Sequence, residues 1–154
     1  MTRLTLDLLP IDSGGVLRGR PGPLADGPEG VCRAMTTLYA SAGFEEPWIG
    51  YLAFLGPTAV GACSFKAGPR GGKVEIAYFT FPGFEGRGFA TSMAAELVAV
   101  ARRHDPEVLV TARTLAERNA SHRVLEKLGF RPMGLVEDPE DGTVLEWHEG
   151  GRAR

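Results

Sequence analysis

The residues best placed to do chemistry in this chain are Glu85-Gly86-Arg87-Gly88, which stand between a β-rich run, Val74 to Phe81, and a long amphipathic stretch beginning at Phe89. The first turn of a helix leaves backbone N–H groups without partners and carries the positive end of the helix dipole. Gly86 and Gly88 let the backbone bend tightly and approach a ligand, while Arg87 adds a fixed positive charge. Such a loop suits an anion, and pyrophosphate is its natural guest. Strand-to-helix turns also use glycine for geometry alone, so the elements around the loop must decide its role.

Those elements are read from hydrophobic periodicity. Residues 3–9 alternate as an amphipathic strand, and Pro10 through Pro28 is a Gly/Pro/Asp-rich loop. Val31, Met35, Leu38 and Tyr39 recur at helical spacing within residues 29–42, a helix ending near Gly43. Trp48 to Leu55 and Thr58 to Lys66 are strand-like runs separated by Gly56-Pro57, which predicts a hairpin, and a third strand follows the turn at residues 68–72, from Lys73 to Phe81. After the glycine loop, Ala90, Met93, Ala94, Leu97, Val98 and Ala101 define one face of a helix running to Arg103 and stopped by Asp105-Pro106. Glu107 to Ala112 predicts a buried strand parallel to the one before the helix. Asn119 to Leu128 is a further helix capped by Gly129, and Phe130 to Val136 with Thr143 to His148 forms a second hairpin.

Composition narrows the functional classes. The chain has 154 residues, 44% hydrophobic and 23% charged, which predicts a single globular domain over residues 1–154 with a frayed tail from 149. A formal net charge of −2 without a basic block argues against nucleic acid as a partner. No stretch is apolar enough to span a bilayer, so no membrane is expected, and the polar N-terminus with Asp7 predicts a cytoplasmic protein. Cys32 and Cys63 are too far apart for a CxxC pair, and no His/Cys cluster signals a metal; both read as buried thiols.

With this order of elements, the chain resembles the GNAT superfamily of acyl-CoA-dependent N-acetyltransferases. Glu85-Gly86-Arg87-Gly88-Phe89-Ala90 is similar to the superfamily's (Gln/Arg)-x-x-Gly-x-(Gly/Ala) pyrophosphate loop. Asn119-Ala120-Ser121-His122-Arg123-Val124-Leu125-Glu126-Lys127-Leu128-Gly129-Phe130 is similar to the region common in the ribosomal-protein N-acetyltransferase branch. The resemblance covers roughly residues 48–148. It implies an α/β fold with a mixed, mostly antiparallel sheet of six to seven strands, splayed between the fourth and fifth. Glu85 departs from the loop pattern by putting a carboxylate where the family has Gln or Arg.

The implied activity is acetyl transfer from acetyl-CoA to a primary amine, without a metal. That chemistry needs a deprotonated amine, a thioester held close to it, stabilisation of the oxyanion and a proton for the leaving thiolate. The resemblance assigns Glu75 as base through water, or else as a solvent-facing carboxylate, and Ser121 as acid, or else as a serine bonded to its own helix. A helix tyrosine common among relatives is replaced by Leu125. Phe79, Thr80 and Phe81 would pair with pantetheine through their backbone, and Gly86, Arg87, Gly88, Phe89, Ala90 and Thr91 would hold pyrophosphate. Asn119 would bind the pantetheine arm or serve as the helix N-cap. Trp48, Tyr51 and Tyr78, with Phe44, would line the acceptor pocket or belong to the core. The acceptor is a protein N-terminus or a small amine, and near-neutral charge leans to a small or varied one. Asp7, Asp12, Asp26, Glu29, Glu45 and Glu46 are available for an acidic cleft. A homodimer is expected from the resemblance, and the alternative function is a non-catalytic acyl-CoA sensor of the same fold.

Overall fold

A computed structural model describes residues 5–19 and 22–150. In chain order the elements are β1 (Asp7–Pro10), α1 (Asp26–Ala42), β2 (Gly50–Leu55), β3 (Thr58–Phe65), β4 (Lys73–Thr80), α2 (Phe89–His104), β5 (Leu109–Leu115), α3 (Ala120–Lys127), β6 (Phe130–Asp138) and β7 (Gly142–Glu149). One seven-stranded sheet runs β1-β2-β3-β4-β5-β7-β6. Every neighbouring pair is antiparallel except β4 and β5, whose parallel pairing requires the crossover through α2. The mostly antiparallel mixed sheet expected from the sequence is therefore observed.

The β4–β5 ladder joins Lys73, Val74, Glu75 and Ile76 to Leu109, Val110, Thr111 and Ala112 and goes no further. Both strands continue, β4 to Thr80 along β3 and β5 to Leu115 along β7, so the sheet opens into a splay just beyond Ile76 and Ala112. Period-2 alternation assigns the side chains of β4 to opposite faces. Val74 and Ile76 are buried against the core shared with Met93, Leu97 and Ala101 of α2, whereas Glu75, Ala77 and Phe79 point to the other face. Gly61 allows α2 to approach, since a Cβ there would lie 2.7 Å from Met93 Cε and 2.6 Å from the Phe79 carbonyl oxygen. The second face is covered by α1 only over β1–β3, where Ile11, Leu52 and Phe54 pack with Cys32, Val31 and Met35.

Most strand boundaries shift by one or two residues from the sequence reading, and the differences at α1, β1 and β5 are the ones with a clear cause or consequence. Helix α1 begins at Asp26 rather than 29, because Pro28 sits in the first turn, where missing N–H groups have no helical partner anyway. Strand β1 covers Asp7–Pro10, and residues 3 and 4 of the expected strand lie outside the described residues. Strand β5 runs to Leu115, its polar Arg113 and Thr114 taking alternate faces instead of ending it. At the other end, Glu149 belongs to β7 and the Gly150 amide bonds the Gly129 carbonyl, so the expected fraying does not begin at 149; the remaining tail residues lie outside the described set.

Candidate active site

The glycine loop enters α2 through Gly88, whose left-handed backbone (φ 85°) makes it the N-cap without any side-chain capping bond. No acidic residue occupies the first turn, which contains Phe89, Ala90 and Thr91. Gly86 is also left-handed, at φ 77°, and nothing lies within 4 Å of where a Cβ would stand at Gly83, Gly86 or Gly88. Behind the loop, the buried Ser92 Oγ has no hydrogen-bond partner among the described residues. Open glycines, uncapped amides and an orphaned hydroxyl fit the phosphates of a nucleotide cofactor. Two details temper the charge. The Glu85 carboxylate accepts from the Gly83 amide at 2.9 Å, and the Arg87 guanidinium lies 5.7 and 5.6 Å from the Phe84 and Phe89 ring centroids.

From this loop the splay leads along β4. The Phe81 amide donates to the Val60 carbonyl, and the Glu75 carbonyl accepts from the Lys66 amide, so odd-numbered β4 residues turn their peptide groups toward β3. Alternation then directs the groups of Tyr78 and Thr80 into the gap left by β5. Of the three residues expected to pair with pantetheine, Thr80 faces the gap, while Phe79 and Phe81 face β3. The Phe79 side chain is 56% exposed on the Glu75 face.

The far side of the gap is framed by α3. Asn119 is its N-cap, Oδ1 accepting from the Ser121 amide at 2.9 Å and Nδ2 donating to the Glu117 carbonyl. Ser121 adjoins the Tyr78 hydroxyl, whose pKa is pushed up to about 12 by burial despite that neighbour. His122 anchors the helix: its Nε2 lies 2.9 Å from the Leu115 carbonyl and 3.2 Å from Thr114 Oγ1, which accepts from Trp147 Nε1 at 3.0 Å. Because a carbonyl can only accept, Nε2 carries the proton.

On the open face, two adjoining cavities of about 630 and 470 Å³ share Lys66 and Arg113. The first is lined by Glu75, Thr111 and Glu146 and bounded by the α1 C-terminus at Ser41 and Ala42; the second reaches Asn119, Ser121, Asp138 and Val144. Glu75, with a side chain 22% exposed, pairs with Lys66 Nζ at 3.4 Å. Arg113 binds Asp138 at 3.1 Å and Glu146 at 3.2 Å. Burial opposes the Arg113 charge, but these carboxylates and Glu75 hold its pKa above the ordinary value. Backbone amides of Glu140 and Asp141, together with Arg113, hold Asp138 below the usual carboxylate range; Glu146 is lowered against its burial by His148 and Arg113.

The structure thus lines the first of two adjoining cavities with Glu75 and the second with Ser121 and Asn119, and sets the Tyr78 hydroxyl beside Ser121. Trp48 and Tyr51 stand elsewhere. Trp48 packs edge-on against Phe65 and His104, and Tyr51 donates to the Pro47 carbonyl beneath α2. Phe44 packs on Tyr39. None of Asp7, Asp12, Asp26, Glu29, Glu45 and Glu46 lines the open cavities; the acids there are Glu75, Asp138, Asp141 and Glu146. Sequence reasoning missed Lys66, Arg113, Asp138, Glu146 and Ser92, although a register across the 68–72 turn would have set Lys66 opposite Glu75. Both thiols are buried, which raises their pKa values. Among the described residues no group of three His, Cys, Asp or Glu could hold a metal, and no helix is long and apolar enough to cross a membrane.

A splayed β4–β5 pair beside an uncapped, glycine-led helix is the architecture of an acyl-CoA-dependent acetyltransferase. The acetyltransferase (GNAT) domain family matches residues 21–131, and the chain belongs to it. No curated protein matches by sequence. Among solved structures, the apo form of RimL, a ribosomal L7/L12 alpha-N-protein acetyltransferase, superposes with a TM-score of 0.66 at 16% identity, over 94% of this chain and 90% of that one. A putative acetyltransferase, yncA from Salmonella typhimurium with acetyl-CoA, gives 0.57 at 18% identity, over 84% and 76%. RimJ from Mycobacterium smegmatis in complex with a CoA disulfide gives 0.62 at 21% identity, over 77% and 58%. These likenesses concern the fold.

Proposed function

We propose that this protein is a single-domain N-acetyltransferase that moves an acetyl group from acetyl-CoA to a primary amine by direct attack on the thioester. The observation that carries this reading is the end of the β4–β5 ladder at Ile76 and Ala112 while both strands continue. The opening leaves the Tyr78 and Thr80 peptide groups free for pantetheine, and the Gly86–Thr91 segment, helped by Arg87, for pyrophosphate. When bound, acetyl-CoA supplies the activated acyl group. Glu75, facing the open groove, takes the acceptor's proton through water; Ser121, backed by Tyr78, gives one to the departing sulfur. A β4 amide facing the gap polarises the carbonyl.

The acceptor enters from the Glu75 face, where alternating Lys66, Glu75, Arg113, Asp138 and Glu146 present a nearly balanced floor. That floor favours a small amine over a strongly basic protein terminus, which would gain little from it. Two free buried thiols are consistent with a reducing, cytoplasmic setting.

One observation favours the second reading, a non-catalytic acyl-CoA sensor: Glu85 occupies a loop amide with a carboxylate. Isothermal titration with acetyl-CoA, on the unaltered protein and on Arg87→Glu, followed by an amine panel, decides between them. Micromolar binding lost in the variant, with turnover, supports the enzyme; binding without turnover supports the sensor; no binding sinks both.

A further inference from the structure

We propose that Lys66 is itself an acetyl acceptor, a self-modification site inside the acceptor groove; this rests on the acetyl-CoA reading above. Lys66 directly follows β3, and its amide bonds the Glu75 carbonyl, which places the two residues side by side on the open face. Its ammonium lies 3.4 Å from Glu75 Oε2 and its side chain is 42% exposed. Glu75 is on the next-to-last rung of the β4–β5 ladder, immediately before the splay. Lys66 lines both cavities, meeting Glu75 in the first and Ser121 in the second. An amine beside the group that takes a proton, and in the same groove as the group that gives one, satisfies what the reaction asks of an acceptor.

Charged groups surround Lys66 from each neighbouring element: Glu75 from β4, Arg113 from β5, and Asp138 and Asp141 from the β6–β7 hairpin. The other two lysines of the chain are placed differently. Lys73 shares the first cavity but opens β4 at the paired end, two residues before Glu75 and away from the splay, and is absent from the second cavity; Lys127 ends α3 outside both. The chain therefore contains its own controls.

The Lys66 ammonium first loses one proton to water beside Glu75. The Nζ–C bond then forms as the C–S bond of acetyl-CoA breaks; the second proton passes from Nζ to Glu75, the sulfur takes a proton from Ser121, and the Glu75 proton, relayed through water, restores Ser121. Ammonium and acetyl thioester become acetamide, free thiol and one released proton. The neutral acetamide no longer pairs with Glu75 and fills part of the groove, so the modification changes which acceptors enter.

The test incubates the protein with acetyl-CoA and no added amine, then follows acetylation of Lys66, Lys73 and Lys127 by peptide mass spectrometry. In parallel, a limiting pulse of an acetyl N-hydroxysuccinimide ester, without acetyl-CoA, ranks the intrinsic reactivity of the three amines. The expected result is labelling of Lys66 by acetyl-CoA roughly tenfold faster than either other lysine, with no such preference toward the ester, and loss of most of that advantage in Glu75→Gln. Equal labelling of all three lysines by acetyl-CoA overturns the proposal. So does an unlabelled Lys66 in protein that titration shows to bind acetyl-CoA, an outcome that leaves the acetyltransferase reading standing. Absence of acetyl-CoA binding overturns both.

Discussion

The two faces of β4 make opposite use of one strand. Val74 and Ile76 are sealed beneath α2, in a core with Met93 and Leu97, while Glu75, one residue out of phase, looks into an open, charged groove, and Phe79 is exposed on that same face. Period-2 alternation lets a single segment hold the fold together on one side and present chemistry on the other. Changes on the helix face should therefore act on stability, and changes on the groove face on activity.

The sharpest way to break this division is Glu75→Gln. If the groove face is where chemistry occurs, acetyl transfer to amine acceptors falls by about 10²- to 10⁴-fold while the unfolding midpoint stays put. Unchanged turnover would remove Glu75 from the mechanism. The counterpart on the other face is Leu97→Ala, which empties a fully buried site between α2 and the sheet. Urea denaturation should show a loss of about 2–5 kcal/mol, and a loss below that range would mean that the α2 interface collapses around the gap.

How far these faces can be read from sequence depends on how many elements must meet. Strand and helix identities, the glycine loop and the parallel crossover were legible because each is encoded by local periodicity or one turn. The α1 start was not, since Pro28 reads as a breaker unless it is already known to fall in a first turn. The assignment of Glu75 to the non-core side was visible in Val-Glu-Ile. The ionic floor was not: Lys66, Arg113, Asp138 and Glu146 come from four separate strand regions, and only the register of β3, β4, β5, β7 and β6 gathers them. Trp48 and Tyr51 illustrate the converse, because aromatic side chains signal a pocket and a core equally well, and here both pack beneath α2.

That ionic floor gives a smaller effect with a definite sign. Asp138 and Glu146 both have folded pKa values below their ordinary ones. Their contribution is therefore complete above the unfolded carboxylate range, at about pH 4, and is lost as pH falls through the lower folded values. Urea midpoints at neutral and acid pH should show a steeper acid loss in the unaltered protein than in Arg113→Met, which lacks the guanidinium partner. Parallel pH profiles would show that the floor adds nothing to stability.

The smallest expected change is at the loop. Glu85→Gln removes a carboxylate from beside the α2 N-terminus while keeping an acceptor for the Gly83 amide. Acetyl-CoA affinity should rise several-fold, within about 1 kcal/mol, and a weaker complex would show that Glu85 organises the loop more than it repels phosphate.

The opening between β4 and β5 is tested most directly by acetyl-CoA titration of Thr80→Pro beside the unaltered protein. The Thr80 amide faces the gap and not β3, so proline there removes a donor from the splay without removing a ladder bond. The expected result is micromolar binding by the unaltered protein, weakened at least about tenfold in the variant, with thermal unfolding little changed. Equal affinity in a folded Thr80→Pro protein would contradict it.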